Sequence, residues 1–339
     1  MLPNPMPYTR KYLEELAAIF NRARPNGMSR VLFNYTRCGF LKYLISPGAD
    51  ITCAHSMWQN DPAEIMLGLW LFMRFLQKNA GYSEAHAGSL MHHLFVQLEK
   101  SREATSAAAA PYIFCFTDNE DYLYFWNEYM KDCNGDASAG GYAVGFWKDA
   151  MEAAIKQINS PSENRLLLLF PCLYAGRDDE NIEAFFSAVY KYHRDEFEAY
   201  RRETNPVDHP STSVMSMMLL TASIVKGAQW SCENEWRLLL FPRLGEQPDR
   251  TSGKPRIKSG ILKLCQPDLS DILKCIWFSP QGDRAKQMQE VRECLDSIGS
   301  TMTGAEQMAP ERKFFMFSKC WRNRVGDYSV EVSHLPYCI

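Results

Sequence analysis

No C-x-x-C pair occurs among the 11 cysteines, which lie scattered from Cys38 to Cys338 without regular spacing. A zinc ribbon or a redox dithiol is therefore not expected. An odd number spread over a long chain also fits poorly with a secreted disulfide framework, and the cysteines read as small buried hydrophobes in a reducing cytoplasm. There is no polybasic face and no acidic tail. With 37 Lys+Arg against 40 Asp+Glu the net charge is only −3, which removes the usual footprint of a nucleic-acid partner. Long apolar runs are missing too: LLLLFPCLYA and MLGLWLFMRFL are roughly half the ~20 residues that a membrane span needs. The opening MLPNPMPYTRKYLEEL has no apolar segment behind a basic start and does not read as a signal peptide. No G-x-G-x-x-G or G-x-x-x-x-G-K-[ST] is present, which disfavours the standard nucleotide folds, and His86, His92 and His93 come without an H-E-x-x-H arrangement, so no metal site is expected. The expectation is a soluble cytoplasmic protein that makes no use of a membrane.

What is present is core-forming sequence. At 46% hydrophobic over 339 residues, the chain can bury a substantial interior, and one compact domain over residues 1–339 is expected. Apolar spacing predicts a helix over 8–23. VLFNY (Val31 to Tyr35) and ITCAHS read as short strands. Asp61 can cap the next helix with Pro62 in its first turn; that helix is apolar nearly all round and should be buried. A second helix runs from about Ser83 to Lys100. YIFCFT (Tyr112 to Thr117) reads as a strand, followed by a helix capped by Asn119 that carries Tyr122, Phe125, Trp126 and Tyr129. Gly140-Gly141 lead into the strand YAVGF, either as a hairpin turn or to let backbone approach a ligand. The run from Arg165 through LLLLFPCLYA reads as one buried strand. A charged helix from about Asp178 to Glu203 and an apolar helix, VMSMMLLTASIV, come next, with the Ser211-Thr212-Ser213 triplet as its cap. ILKLC and ILKCIWFSP read as strands, Arg284 to Ser297 as a helix, and Tyr328 to Val332 as strand. This mixed order predicts an α+β fold with a mixed or antiparallel central sheet and surrounding helices.

The stretch WSCENEWRLLLFPR (Trp230 to Arg243) places charge at the head of an apolar strand. Alternation puts Glu235, Arg237, Leu239 and Phe241 on one face and Trp236, Leu238 and Leu240 on the other. Glu233 lies beyond them if the extended conformation starts early. One reading is an ion pair between Glu235 and Arg237, worth about 0–1 kcal/mol if exposed. The other is a carboxylate projected into a cleft to orient a hydroxyl or offset a developing cation. Asn60-Asp61-Pro62, with Glu64 one turn along, is open in the same way between a helix cap and a polar site facing this strand.

Three pieces together resemble a bacterial family labelled a domain of unknown function: SMWQNDPAEI, CFTDNEDYLYFWNEY and KGAQWSCENEWRLLLF. The shared pattern is N-D-P-x-E, then F-T-x-N with W-x-x-Y, then K-x-x-x-W-x-x-E-x-E-W-R. The resemblance covers about residues 31–300, leaving the N-terminal helix and an extension over 301–339 outside it. More distantly the layout is similar to that of ADP-ribosyltransferases, in which a late strand opens with a catalytic glutamate, often within E-x-E. That resemblance implies an ADP-ribosyltransferase-like core using NAD or a nucleotide, in the manner of a toxin or phage-defence effector. Glu235, Glu233 and Arg237 would be catalytic. Tyr35, Arg37, Ser56 (or His55), Asn60, Asp61, Trp126, Tyr129 and Lys226 would bind substrate, an aromatic such as Trp126 or Tyr129 stacking the nicotinamide. The competing expectation is a non-catalytic protein-interaction or regulatory module whose polar motifs are structural.

Overall fold

Tyr12, Leu16, Ile19 and Phe20 recur at helical spacing, and they are the residues that the first helix, α1 (Arg10–Ala23), buries. The computed structural model describes residues 10–23, 30–58, 63–103, 111–120, 122–130, 140–159, 165–202, 212–242, 246–251, 253–265, 269–280, 282–297, 315–318 and 327–332. Asn60, Asp61 and Ser211 lie outside the described residues. After α1 come β1 (Val31–Arg37), β2 (Thr52–His55), α2 (Ala63–Ala80), α3 (Glu84–Glu103), β3 (Tyr112–Thr117), α4 (Leu123–Tyr129), β4 (Gly141–Trp147) and α5 (Lys148–Ile158). The middle holds β5 (Leu166–Pro171), β6 (Leu173–Ala175), α6 (Asp179–Tyr192), α7 (Arg194–Arg202), α8 (Thr212–Ile224), β7 (Val225–Gly227) and β8 (Glu235–Phe241). The remainder is β9 (Arg256–Lys258), α9 (Ile261–Cys265), β10 (Leu273–Phe278), α10 (Arg284–Ser297), β11 (Phe315–Ser318) and β12 (Asp327–Val332). The fold is α+β, with a largely antiparallel sheet flanked by helices.

The chain packs as two compact units, each assembled from three separate stretches. The first takes residues 1–28, 52–114 and 159–257. In it β5 and β8 form an antiparallel pair from Leu166 opposite Phe241 to Pro171 opposite Trp236, and β6 and β7 form a short parallel pair with Tyr174 opposite Lys226. Helices α2 and α8 press together so closely at Gly68 that a Cβ there would stand 2.6 Å from the Ala222 Cα, a contact only glycine permits. Helix α2 is less buried than its all-round apolarity predicts: Trp70 is 49% exposed, with Arg74 over its ring.

The second unit takes residues 29–51, 115–158 and 258–339. Its strands β1 and β4 pair antiparallel along their whole length, Val31 opposite Trp147 through Arg37 opposite Gly141. Strand β10 lies antiparallel on β4 and β12 runs parallel to β10. Gly141 is required by close approach, since a Cβ there would meet the Thr36 carbonyl oxygen at 2.4 Å.

Four local expectations are corrected. ILKLC is the helix α9 rather than a strand, because the buried Asp50 carboxylate accepts the amides of Gly260 and Leu262 and so caps its first turn. Asn119 does not cap α4; the helix begins three residues later, with Tyr122 at the cap and no side-chain bond there, while the Asn119 amide is taken by Thr117 Oγ1. The charged segment after Asp178 is two helices, broken at His193, whose φ of −121° and ψ of 26° leave the helical region. The run after Arg165 is two strands, parted at Cys172: its N–H makes the last rung of the β5–β8 register, to the Glu235 carbonyl at 2.8 Å, and from Leu173 onward the chain pairs with β7 instead.

Candidate functional site

The head of β8 is where ionisable side chains converge inside the first unit. Strand alternation puts Glu235 and Arg237 on one face, and Arg237 Nε donates to Glu235 Oε1 at 2.8 Å. The expected ion pair is thus present, but it is not at an exposed strand end: Glu235 is 5% and Arg237 2% exposed. Lys226 of β7 completes the group, its Nζ standing 2.6 Å from Glu235 Oε2 and 2.7 Å from Glu233 Oε2. Arg237 also donates from Nη2 to Glu235 Oε2 at 3.3 Å and from Nη1 to the Ser223 carbonyl at 2.9 Å. Both oxygens of Glu235 are therefore held by cations of the chain itself. Two carboxylates face two cations, so the cluster is neutral as a whole, which is the condition for burying charge at all.

Local conformation explains the placement. Glu233 is not on an early extension of the strand. Ala228–Glu233 is a six-residue 3-10 helix, and Asn234 closes it with a φ of 43°, the left-handed region that asparagine enters more readily than most residues. From that helix, rather than from an extended strand, Glu233 meets the Lys226 ammonium. Lys226 is itself presented by the short parallel β6–β7 pair, in register with Tyr174.

Tyr174 and Asp178 are the residues that sequence reasoning missed. The Tyr174 hydroxyl accepts the Glu235 N–H at 2.8 Å. Its own N–H goes to Asp178 Oδ2 at 2.9 Å, and the Arg177 guanidinium lies 4.4 Å from its ring centre. The available signal was one phenol in an otherwise apolar run, LLLLFPCLYA. A buried phenol needs a hydrogen-bond partner.

The other expected site residues divide between the units. Ser56, in the first, is fully buried, and its hydroxyl has no hydrogen-bond partner among the described residues. His55 beside it is fully buried, its Nδ1 accepting the Met57 N–H at 3.2 Å. In the second unit Tyr35, Arg37, Trp126 and Tyr129 do come together. The Tyr35 ring stands 4.7 Å from Trp126, edge to face, its hydroxyl accepts the Tyr122 N–H at 3.0 Å, and Arg37 Nε donates to the Tyr129 carbonyl at 3.3 Å. Trp126 is 0% exposed and belongs to a core cluster with Val31, Phe33, Met130 and Trp277. Its ring is thus enclosed by core side chains in this structure. Tyr129 is half-buried against the same cluster, and Arg37 is exposed.

Among the described residues no three His, Cys, Asp or Glu side chains are grouped as metal ligands would be, and no helix is long and apolar enough to cross a membrane. Residues 125–238 match the model of the family described as protein of unknown function (DUF2971). That segment contains Trp126, Tyr129, Tyr174, Lys226, Glu233, Glu235 and Arg237. No curated protein and no solved structure matches the chain.

Proposed function

We propose that the protein is an ADP-ribosyltransferase-like enzyme that uses NAD or a related nucleotide, with Glu235 as its reacting carboxylate and an effector role of the toxin or phage-defence kind. The observation that carries this reading is the burial of three charged side chains, Glu233, Lys226 and Arg237, around Glu235 at the head of β8. Such clusters are weak sources of stability, since well-packed apolar residues do as well or better. Their concentration at one strand end favours a site. Heterolysis of the nicotinamide–ribose bond sends the bonding electron pair to nicotinamide and leaves an oxocarbenium-like ribose. A carboxylate held rigidly on its far side offsets that charge and accepts a ribose hydroxyl. In this scheme Lys226 yields its contact with Glu235 to substrate and keeps Glu233, while Arg237 maintains the orientation.

A second reading has its own observation. Both Glu235 oxygens are already taken by internal cations, as they would be in a non-catalytic interaction or regulatory module that uses the cluster as an internal clamp. One experiment separates the two: nicotinamide release from NAD, and NAD binding by calorimetry, for wild type beside Glu235→Gln and Glu233→Gln. Release by wild type that falls at least about a hundredfold in Glu235→Gln, with both proteins folded, supports the enzyme. No binding and no release by folded wild type leaves the clamp.

A further inference from the structure

We infer that Tyr174 is a positioning residue for Glu235, held in that role by Asp178 and Arg177; the inference rests on Glu235 being the reacting carboxylate. The carboxylate end of Glu235 is fixed by Lys226 and Arg237, but an orientation is only as good as the backbone from which the side chain springs. That backbone is gripped from one direction by a single short segment. The Cys172 N–H donates to the Glu235 carbonyl at 2.8 Å, and the Tyr174 hydroxyl accepts the Glu235 N–H at 2.8 Å. Glu235 is the first residue of β8 and follows Asn234 in the left-handed region. The chain reverses just before it, and the phenol supplies the acceptor that its amide uses there.

Tyr174 is in turn mounted at three points. Parallel register with β7 sets it opposite Lys226, so one strand pair supplies both the ammonium that grips the carboxylate and the hydroxyl that grips the amide. Its N–H is clamped by Asp178 Oδ2, a carboxylate that is itself 7% exposed. The Arg177 guanidinium covers its ring while donating from Nε and Nη2 to the two Asp178 oxygens at 3.1 and 3.0 Å. The Arg177 side chain remains 38% exposed. Arg177, the Tyr174 ring and the Glu235 amide thus form one chain of contacts that ends on the backbone of the reacting carboxylate. Removing the phenol oxygen strands a buried N–H, which must find water or another acceptor, and the start of β8 shifts to let it.

The test compares wild type, Tyr174→Phe, Arg177→Ala and, as a remote control, Tyr192→Phe, whose hydroxyl serves Glu15 instead. Two readouts are taken: steady-state nicotinamide release from NAD, and solvent exchange of the Lys226 ammonium protons by nitrogen-detected NMR. In Tyr174→Phe kcat falls about ten- to hundredfold with KM within about twofold, the signature of misplacement by a fraction of an ångström. Ammonium exchange rises about tenfold as the cluster opens locally more often. Arg177→Ala loosens only the exposed mounting and gives a smaller change in the same direction, which keeps the test valid should Tyr174→Phe fail to fold. Tyr192→Phe changes neither readout. An unchanged kcat in folded Tyr174→Phe overturns the inference. If wild type releases no nicotinamide, the enzyme reading fails by itself and the exchange rates decide: faster exchange in Tyr174→Phe or Arg177→Ala retains Tyr174 as the mount of the cluster, and unchanged exchange in both overturns it.

Discussion

The two groups of residues that the sequence singles out end in opposite environments, one in each unit. Around Glu235 the conspicuous side chains are charged and lie in the interior, bound to one another. Around Trp126 the conspicuous side chains are aromatic; most pack as core, and the one charge, Arg37, stays outside. Burial of an aromatic is favourable in itself. Burial of a charge is tolerated only while its partners are in place. The Glu235 group should therefore fail when any one partner is removed, whereas the Trp126 group should fail in proportion to the volume lost.

The sharpest way to break the contrast is to take the central cation away. Lys226→Met leaves the Glu233 carboxylate and one oxygen of Glu235 without their ammonium, at a cost of about 3–5 kcal/mol in urea unfolding. Glu233→Gln added to that background should recover part of the loss, giving a coupling energy of at least about 1 kcal/mol. In the second unit Trp126→Ala costs about 3–5 kcal/mol by transfer and cavity terms alone. Tyr35→Phe, which keeps the ring and deletes the hydroxyl that accepts the Tyr122 amide, costs about 1 kcal/mol. Additive losses in the Lys226 double variant would mean that the four charges do not act as one body.

Acidity gives a smaller effect whose sign differs between the units. His193 in the first unit is buried, and desolvation holds its pKa below the ordinary value, with Glu196 opposing. Between that lowered pKa and the ordinary value of about 6.5, the unfolded chain binds a proton that the native imidazole does not. Stability from this group is present above about pH 6.5 and lost as pH falls through the window. Asp50 in the second unit is shifted the other way: burial raises its pKa against the bonds from Gly260, Leu262 and Ser259. There the native state binds the extra proton, so the contribution is full below the ordinary carboxylate value and declines as pH rises through the raised one. Urea midpoints across pH 4–7 should show an acid-side slope that His193→Gln flattens.

Regular elements were legible because hydrophobic period encodes them. α10 matches its expected span of Arg284 to Ser297, and β3 matches Tyr112 to Thr117. Readings failed where a remote group decides the local conformation. Nothing within ILKLC announces that Asp50, far earlier in the chain, will cap it into a helix. The site follows the same rule. Glu235 beside Arg237 on one face is a two-residue alternation and was readable. The burial of that pair, its capture by Lys226 and its mounting on Tyr174 depend on a strand pairing 52 residues apart, Tyr174 against Lys226, which no local pattern carries.

The smallest expected effect is also the most discriminating for the second unit. Arg37 is exposed, and its Nε makes a 3.3 Å bond to the Tyr129 carbonyl, an acceptor that water can satisfy once the guanidinium is gone. Arg37→Ala should therefore change stability by no more than about 0.5 kcal/mol. Nicotinamide release is read on the same variant, which separates a binding role from a structural one because the two are not confounded by unfolding. A fall in release with the urea midpoint unmoved would give Arg37 work that its packing does not explain. An unfolding free energy that drops by well over 1 kcal/mol would instead make the Tyr129 contact part of the core, and would erase the difference between the aromatic group and the charged one.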